Sequence, residues 1–122
     1  MRAIITILTW MYVIALTVGS LQETSSPYLT LWSWQDKVIH CLAYFIGTSL
    51  FFFSYERRFS GFFWVIFGIC IEVIQYQLPW RSASLGDIFA NCLGVFLADF
   101  LFHKLSLGRK FLENPIFRRL KL

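Results

Sequence analysis

Four long apolar runs, each bounded by charged or polar residues, are the feature that most constrains this chain. They cover residues 3–21, 38–55, 61–78 and 84–102. A helix needs about 17–25 predominantly apolar residues to cross a bilayer, and each run has that length. Apolar residues occupy every face of the runs, and no run alternates polar with apolar residues as a barrel strand does. The sequence therefore predicts an all-α fold, a four-helix transmembrane bundle that forms one domain over residues 1–122.

The composition excludes several other classes of protein. Hydrophobic residues make up 57% of the chain and charged residues only 15%, against about 25% charged residues in a soluble domain. A disordered chain, an ordinary soluble enzyme and a disulfide-stapled secreted module are therefore excluded. Cys41, Cys70 and Cys92 lie in separate apolar runs without metal-ligand spacing. The net charge of +4 does not indicate a nucleic-acid partner, because the basic residues flank apolar runs.

The distribution of basic residues predicts how the chain is oriented in the membrane. If the N-terminus is cytoplasmic, the opposite side carries only Lys37 and Arg81, whereas the cytoplasmic side carries nine Lys and Arg residues. These nine are Arg2, Arg57, Arg58, Lys104, Arg109, Lys110, Arg118, Arg119 and Lys121. Loops rich in Lys and Arg remain in the cytoplasm. We therefore expect a multi-pass protein of the cell (inner) membrane with both termini cytoplasmic.

Two segments outside the runs are predicted to lie along the membrane surface. The link between the first two runs carries the aromatic residues Tyr28, Trp32 and Trp34, and such rings settle at the interface. The tail over residues 103–122 mixes basic with apolar residues, which predicts an interfacial segment that contacts anionic lipid. At the start of this tail, we expect Asp99 to form a local ion pair with His103 or Lys104.

Polar residues from three segments are predicted to converge at one depth, near the outer ends of the second, third and fourth runs. We call this set the polar layer; it consists of Asp36, Lys37, His40, Tyr44, Glu72, Gln75, Arg81, Ser84, Asp87 and Asn91. Helical spacing places Asp36, His40 and Tyr44 on one face. An ionised carboxylate in lipid costs about 2.5–3.5 kcal/mol or more, so we expect Arg81 to pair with Glu72 or Asp87. Below the layer, Ala90, Gly94 and Ala98 form a stripe of small residues that predicts close helix packing.

These residues carry a resemblance to a known family. The chain reads Asp36-Lys37, His40 and Tyr44 in the second run, Glu72-x-x-Gln75 in the third, Pro79-x-Arg81 in the turn, and Asp87-x-x-x-Asn91-x-x-Gly94 in the fourth. This pattern resembles the VanZ-like family of bacterial membrane proteins over residues 36–98. Cys41 stands where the family often has Phe, and the first run fits by topology alone. The family is named for a protein that confers low-level resistance to the glycopeptide teicoplanin. The resemblance implies antibiotic resistance or modulation of the cell envelope.

Three functions remain open from the sequence. In the first, the polar layer is an outward-facing pocket that binds an anionic or lipid-linked head group, such as a cell-wall precursor, with Arg81, Lys37 and His40 toward its acidic group. In the second, the chain is an enzyme acting on such a lipid, with His40, Glu72 and Asp87 as catalytic candidates and Ser84 as a weak nucleophile. In the third, the layer only holds the bundle together.

The sequence predicts no cofactor. As another form of the second function, Asp36, His40, Glu72 and Asp87 could hold a divalent metal, but they lack a recognised metal-ligand spacing, so no metal is predicted. Membrane lipids are the expected partners, with a lipid-linked cell-wall precursor or a glycopeptide as further candidates. An oligomer is left open.

Overall fold

The computed structural model describes residues 2–23 and 33–113, and within them the side chains of residues 3–23 and 33–106. Four α-helices follow one another: α1 (Arg2–Leu21), α2 (Gln35–Phe52), α3 (Arg57–Gln77) and α4 (Leu85–Glu113). The described residues contain no strand, so the all-α prediction is confirmed for this part of the chain. Tyr28 and Trp32 of the predicted interfacial link, and residues 114–122 of the predicted tail, lie outside the described residues.

The helix boundaries follow from local chemistry, and some differ from those predicted. Helix α3 ends before Leu78, which is extended (φ −91°, ψ 125°), because a residue that precedes proline disfavours the helical conformation. Ser84 precedes α4, and its hydroxyl accepts a hydrogen bond from the backbone N–H of Asp87 at 3.2 Å, which is an N-cap. Helix α2 ends at Phe52, three residues before the predicted limit, and α4 continues past the predicted limit at Phe102 to Glu113.

Helix α2 is the central element of the bundle, since it contacts α1, α3 and α4. Helix α4 packs against α2 and α3, and α1 packs against α2 and α3. The chain reverses direction over residues 53–56 and 78–84, and these short links place sequential helices antiparallel. Consequently α1 and α3 end where α2 and α4 begin. We call this the polar end of the bundle, because most of the polar layer lies there.

Glycine allows the closest contact between helices, which is between α2 and α4. A Cβ atom at Gly94 would overlap the backbone carbonyl of Cys41 and lie 2.9 Å from the backbone nitrogen of Phe45. Ala90 and Ala98, one turn to either side, are also buried. The predicted stripe of small residues is therefore a helix-packing surface, and it lets the two backbones approach to a distance that any side chain at Gly94 would prevent.

Polar and apolar side chains are distributed inside out compared with a soluble bundle. Glu72, Gln75, Asp87 and Asn91 are each no more than 3% exposed, whereas Phe89 is 75% exposed. Many other large apolar side chains on all four helices also point outward. A protein in water would gain free energy by burying these side chains, whereas a lipid environment removes that driving force.

Three of the helices are long and apolar enough to cross a membrane: residues 3–21 of α1, α3, and residues 85–106 of α4. These three agree with the first, third and fourth predicted runs. Helix α2, on which the second run falls, is not among them. Its first turn contains Gln35, Asp36 and Lys37, which lower its mean hydropathy. By length and composition these three helices indicate a membrane protein, and α2 is the helix that contacts all three others.

Candidate functional site

Asp87 and Lys37 join the starts of α4 and α2. The Lys37 ammonium hydrogen-bonds to the Asp87 carboxylate and also donates to the Ser84 hydroxyl at 3.2 Å. The Asp87 side chain is 4% exposed and that of Lys37 is 34% exposed. Ser84 accepts both this bond and the capping bond from Asp87 N–H, so its hydroxyl is engaged in holding the helix start. The prediction of Ser84 as a weak nucleophile has no support from this geometry.

His40 lies one turn further into α2 and contacts all three neighbouring polar segments. Its Nδ1 is 2.9 Å from Asn91 Oδ1 and 3.7 Å from Glu72 Oε1. Its Nε2 is 3.7 Å from Asp36 Oδ1 on the same helix. The imidazole therefore lies between two carboxylates, one buried and one largely exposed to solvent. The predicted convergence of α2, α3 and α4 at His40 is present in the structure.

Several buried polar atoms of the layer have no hydrogen-bond partner among the described residues. They include both carboxylate oxygens of Glu72, the hydroxyl of Tyr44, the Nδ2 of Asn91 and the Nε of Arg81. Leaving a buried polar group unpaired costs about 1–3 kcal/mol, and such groups are rare in native proteins. Among the described residues the layer is therefore not fully self-paired.

The structure corrects two predicted ion pairs. Arg81 pairs with neither Glu72 nor Asp87 among the described residues, because Asp87 is held by Lys37 and Glu72 lies nearest to His40. Asp99 does not rely on a local partner. Instead, the Arg57 guanidinium at the start of α3 binds both of its oxygens, with Nε–Oδ1 2.5 Å and Nη2–Oδ2 2.6 Å.

Gln75, a member of the predicted polar layer, contacts the end of α1. Its side-chain amide donates to the backbone carbonyl of Ser20 in α1 at 2.7 Å, and the Trp80 indole N–H donates to the carbonyl of Leu21 at 3.2 Å. Carbonyls at a helix C-terminus have no partner within the helix. Gln75 and Trp80 supply those partners for α1 and hold its end at the polar end of the bundle.

A cavity of about 690 Å³ opens between α1 and α2 at the polar end. Its walls combine apolar residues of α1 with Asp36, His40 and Tyr44 of α2, and with Arg81 from the link before α4. The α1 residues Ala15, Leu16, Gly19 and Ser20 were not identified from the sequence, because none of them carries a chemical group that distinguishes it from an ordinary membrane helix. A helix face of small residues that leaves room for a ligand has no sequence signal of its own.

A second cavity at this end has a volume of about 330 Å³ and lies between α3 and α4, where Glu72, Tyr76, Gln77 and Ser84 are the polar residues of the lining. His40 therefore faces the large cavity, and Glu72, behind it, borders the small one.

Three residues at this end could also hold a metal ion, because Asp36, His40 and Asp87 each offer one ligand atom and these atoms lie within 4.8 Å of one another. The arrangement thus offers a guanidinium and a phenol for an anion, and carboxylates with an imidazole for a cation.

Comparisons of the chain with protein-family models, with curated proteins and with solved structures gave no match.

Proposed function

We propose that the chain is a VanZ-like protein of the bacterial cell membrane that modulates the envelope by binding an anionic, lipid-linked head group, with glycopeptide resistance of the teicoplanin type as the resulting phenotype. In this proposal both termini are cytoplasmic and the polar end faces outward. The nine-to-two distribution of Lys and Arg supports that orientation. The resemblance of residues 36–98 to the family pattern supports the assignment.

The observation that carries the proposal is the position of Arg81 in the cavity between α1 and α2. Arg81 is half-buried, its Nε has no hydrogen-bond partner, and no carboxylate pairs with it among the described residues. A guanidinium presents donors in a planar fork that matches phosphate and carboxylate. An unpaired guanidinium at the wall of a largely apolar cavity suits an amphipathic ligand with an acidic head group.

The rest of the cavity suits the same class of ligand. Apolar residues of α1 and α2 form the walls on which an acyl or prenyl chain would lie. The Tyr44 hydroxyl, which has no partner among the described residues, is a neutral donor at the same cavity. Asp36 also lines it and is an acceptor for hydroxyl or amide hydrogens, such as those of a sugar or peptide joined to the lipid phosphate. A lipid-linked cell-wall precursor combines these features.

Lys37 takes a different role from the one predicted. Because its ammonium is bound to Asp87 and Ser84, it is engaged within the layer and does not line the cavity. Arg81 is therefore the residue proposed to bind the acidic group, and Lys37 is proposed to position the start of α4.

Growth under teicoplanin tests this proposal. A susceptible bacterial host would express the wild-type chain, Arg81→Gln or Tyr44→Phe at matched membrane levels, and the inhibitory concentration would be measured. Arg58→Gln is the control, because Arg58 is an exposed arginine at the opposite end of the bundle. We expect resistance from the wild type and the control and its loss in Arg81→Gln. Full resistance in Arg81→Gln at normal abundance would contradict the proposal.

A further inference from the structure

The hydrogen bond from His40 to Asn91 fixes which nitrogen of the imidazole is free. Nδ1 lies 2.9 Å from the Asn91 amide oxygen, with the Glu72 carboxylate on the same side at 3.7 Å. Both oxygens are acceptors, so Nδ1 carries the hydrogen. In the neutral imidazole the lone pair is then on Nε2, and a hydrogen bond to a carboxylate or carbonyl oxygen is the usual way in which a protein orients a metal-binding histidine.

The free Nε2 faces a second electron-rich atom. Asp36 Oδ1 lies 3.7 Å from it, and neither atom is a donor when the imidazole is neutral. A lone pair opposed to a carboxylate oxygen at this distance is unfavourable unless Nε2 carries a proton or a metal cation lies between the two atoms. Adjacent ligands on a metal ion, each about 2.0–2.2 Å from it, would be about 3–3.5 Å apart, which is close to the separation observed.

Asp87 is the third candidate ligand. Its carboxylate, the His40 imidazole and the Asp36 carboxylate each place one ligand atom within 4.8 Å of the other two. Ligands across an octahedral ion are about 4.2 Å apart, so small side-chain movements bring all three to bonding distance. The local charges favour the same conclusion. Asp36 and Asp87 contribute two carboxylates, and Lys37 is the cation that pairs with both of them.

We propose that Asp36, His40 Nε2 and Asp87 form a binding site for a divalent transition-metal cation such as Mn²⁺ or Zn²⁺. One imidazole with two carboxylates suits these ions better than Ca²⁺ or Mg²⁺, which prefer oxygen ligands alone. Glu72 and Asn91 are positioning residues, since they hold the hydrogen on Nδ1. Glu72 is 3% exposed, and neither of its oxygens has a hydrogen-bond partner among the described residues. Its Oε1, 3.7 Å from Nδ1, is thus available as an acceptor that orients the imidazole.

Lys37 is the internal competitor for this site. Its ammonium hydrogen-bonds to Asp87 and lies 3.8 Å from Asp36, so it partly neutralises the same carboxylates that would bind the metal. Removal of the ammonium should therefore increase metal affinity. This increase distinguishes a specific metal site from a group of exposed carboxylates, whose metal affinity would change little when one lysine is removed. The site does not depend on head-group binding, although Asp36 and His40 also line the cavity.

Electron paramagnetic resonance of Mn²⁺ tests the proposal on the purified full chain in detergent micelles, after treatment with a chelator. Bound Mn²⁺ loses the sharp signal of the free aqueous ion, so a titration gives the dissociation constant and the number of sites. We expect one saturable site in the wild type. Asp36→Asn and His40→Gln should each weaken binding by about tenfold or more, since even supporting residues of metal sites contribute about 10–100-fold. Glu56→Gln, an exposed carboxylate at the opposite end, is the matched control and should bind as the wild type does.

Lys37→Met provides the second arm of the experiment. We expect Lys37→Met to bind Mn²⁺ more tightly than the wild type, and the fold gain in affinity should be at least as large as the fold loss in Asp36→Asn. The double variant Asp36→Asn/Lys37→Met should lose that gain. Absence of a saturable site in the wild type would overturn the proposal, including the case in which binding is seen only after Lys37 is removed. Binding that Asp36→Asn and His40→Gln leave unchanged would place the ion elsewhere and overturn it as well.

Discussion

The Lys37 ammonium, in the first turn of α2, is hydrogen-bonded to the carboxylate of Asp87, fifty residues later in the first turn of α4. This pair fixes the relative position of the two helices that make the closest contact in the bundle, and it does so at the polar end. The same contact keeps Asp87 from pairing with Arg81 and thereby leaves the Arg81 guanidinium for the cavity.

Lys37→Met should destabilise the protein, because it leaves the carboxylate of Asp87 buried without its partner. Breaking a buried ion pair costs about 3–5 kcal/mol, and since Lys37 is one-third exposed we expect about 1–3 kcal/mol. Thermal unfolding in detergent, without divalent ions, measures the change. The double variant Lys37→Met/Asp87→Leu should recover much of the loss, because no charge is then left unpaired. A double variant less stable than Lys37→Met would contradict this account of the pair.

Gly94→Ala should disrupt the packing of α2 on α4. The added Cβ would overlap the Cys41 carbonyl, and because the obstacle is backbone the helices must separate, at a cost of about 1–3 kcal/mol or more. Gly61→Ala in α3 is the matched control, since a Cβ there meets nothing within 4 Å and alanine favours a helix by about 0.4–1 kcal/mol. Folded yield and melting temperature after purification compare the two. Equal behaviour of the two variants would show that the close approach at Gly94 is not required.

Arg57→Gln should lower stability more than Lys104→Gln, because Asp99 is bound by Arg57 on both oxygens, whereas the Lys104 ammonium lies over the Phe100 ring. The Arg57 and Asp99 side chains are 40% and 35% exposed, so the expected loss is only about 0.2–1 kcal/mol. Thermal unfolding at low and high salt measures it. A larger loss in Lys104→Gln would favour the local pairing that the sequence alone suggests.

Much of the fold could be predicted from the sequence, because apolar runs of membrane-spanning length permit few alternatives to a helical bundle. The convergence of His40, Glu72 and Asn91 followed from helical spacing and alternating direction. Ion-pair partners did not, since spacing identifies neighbours within one helix, such as Asp99 and His103. It does not identify a tertiary partner such as Arg57. For the same reason, the contribution of α1 to the cavity could not be predicted, because its small residues carry no polar signal.

The proposed orientation can be tested by labelling single cysteines in a variant that lacks Cys41, Cys70 and Cys92. We expect Ser33→Cys, in the link before α2, to react with a membrane-impermeant maleimide in intact cells. Lys121→Cys, in the basic tail, should react only after the cells are permeabilised. The distribution of Lys and Arg is the reason for this expectation. Labelling of the tail variant in intact cells would contradict the proposed cytoplasmic position of the C-terminus.

Binding of a polyprenyl phosphate to the purified chain tests the central claim most directly. The melting temperature would be measured with polyprenyl monophosphate and with the neutral polyprenol of the same length, for the wild type and for Arg81→Gln. A hydrogen bond to a charged group contributes about 1.5–3 kcal/mol, so we expect the phosphate to stabilise the wild type well beyond the polyprenol and Arg81→Gln to remove that difference. Equal stabilisation of the wild type by the two lipids, or an undiminished phosphate effect in Arg81→Gln, would contradict the account.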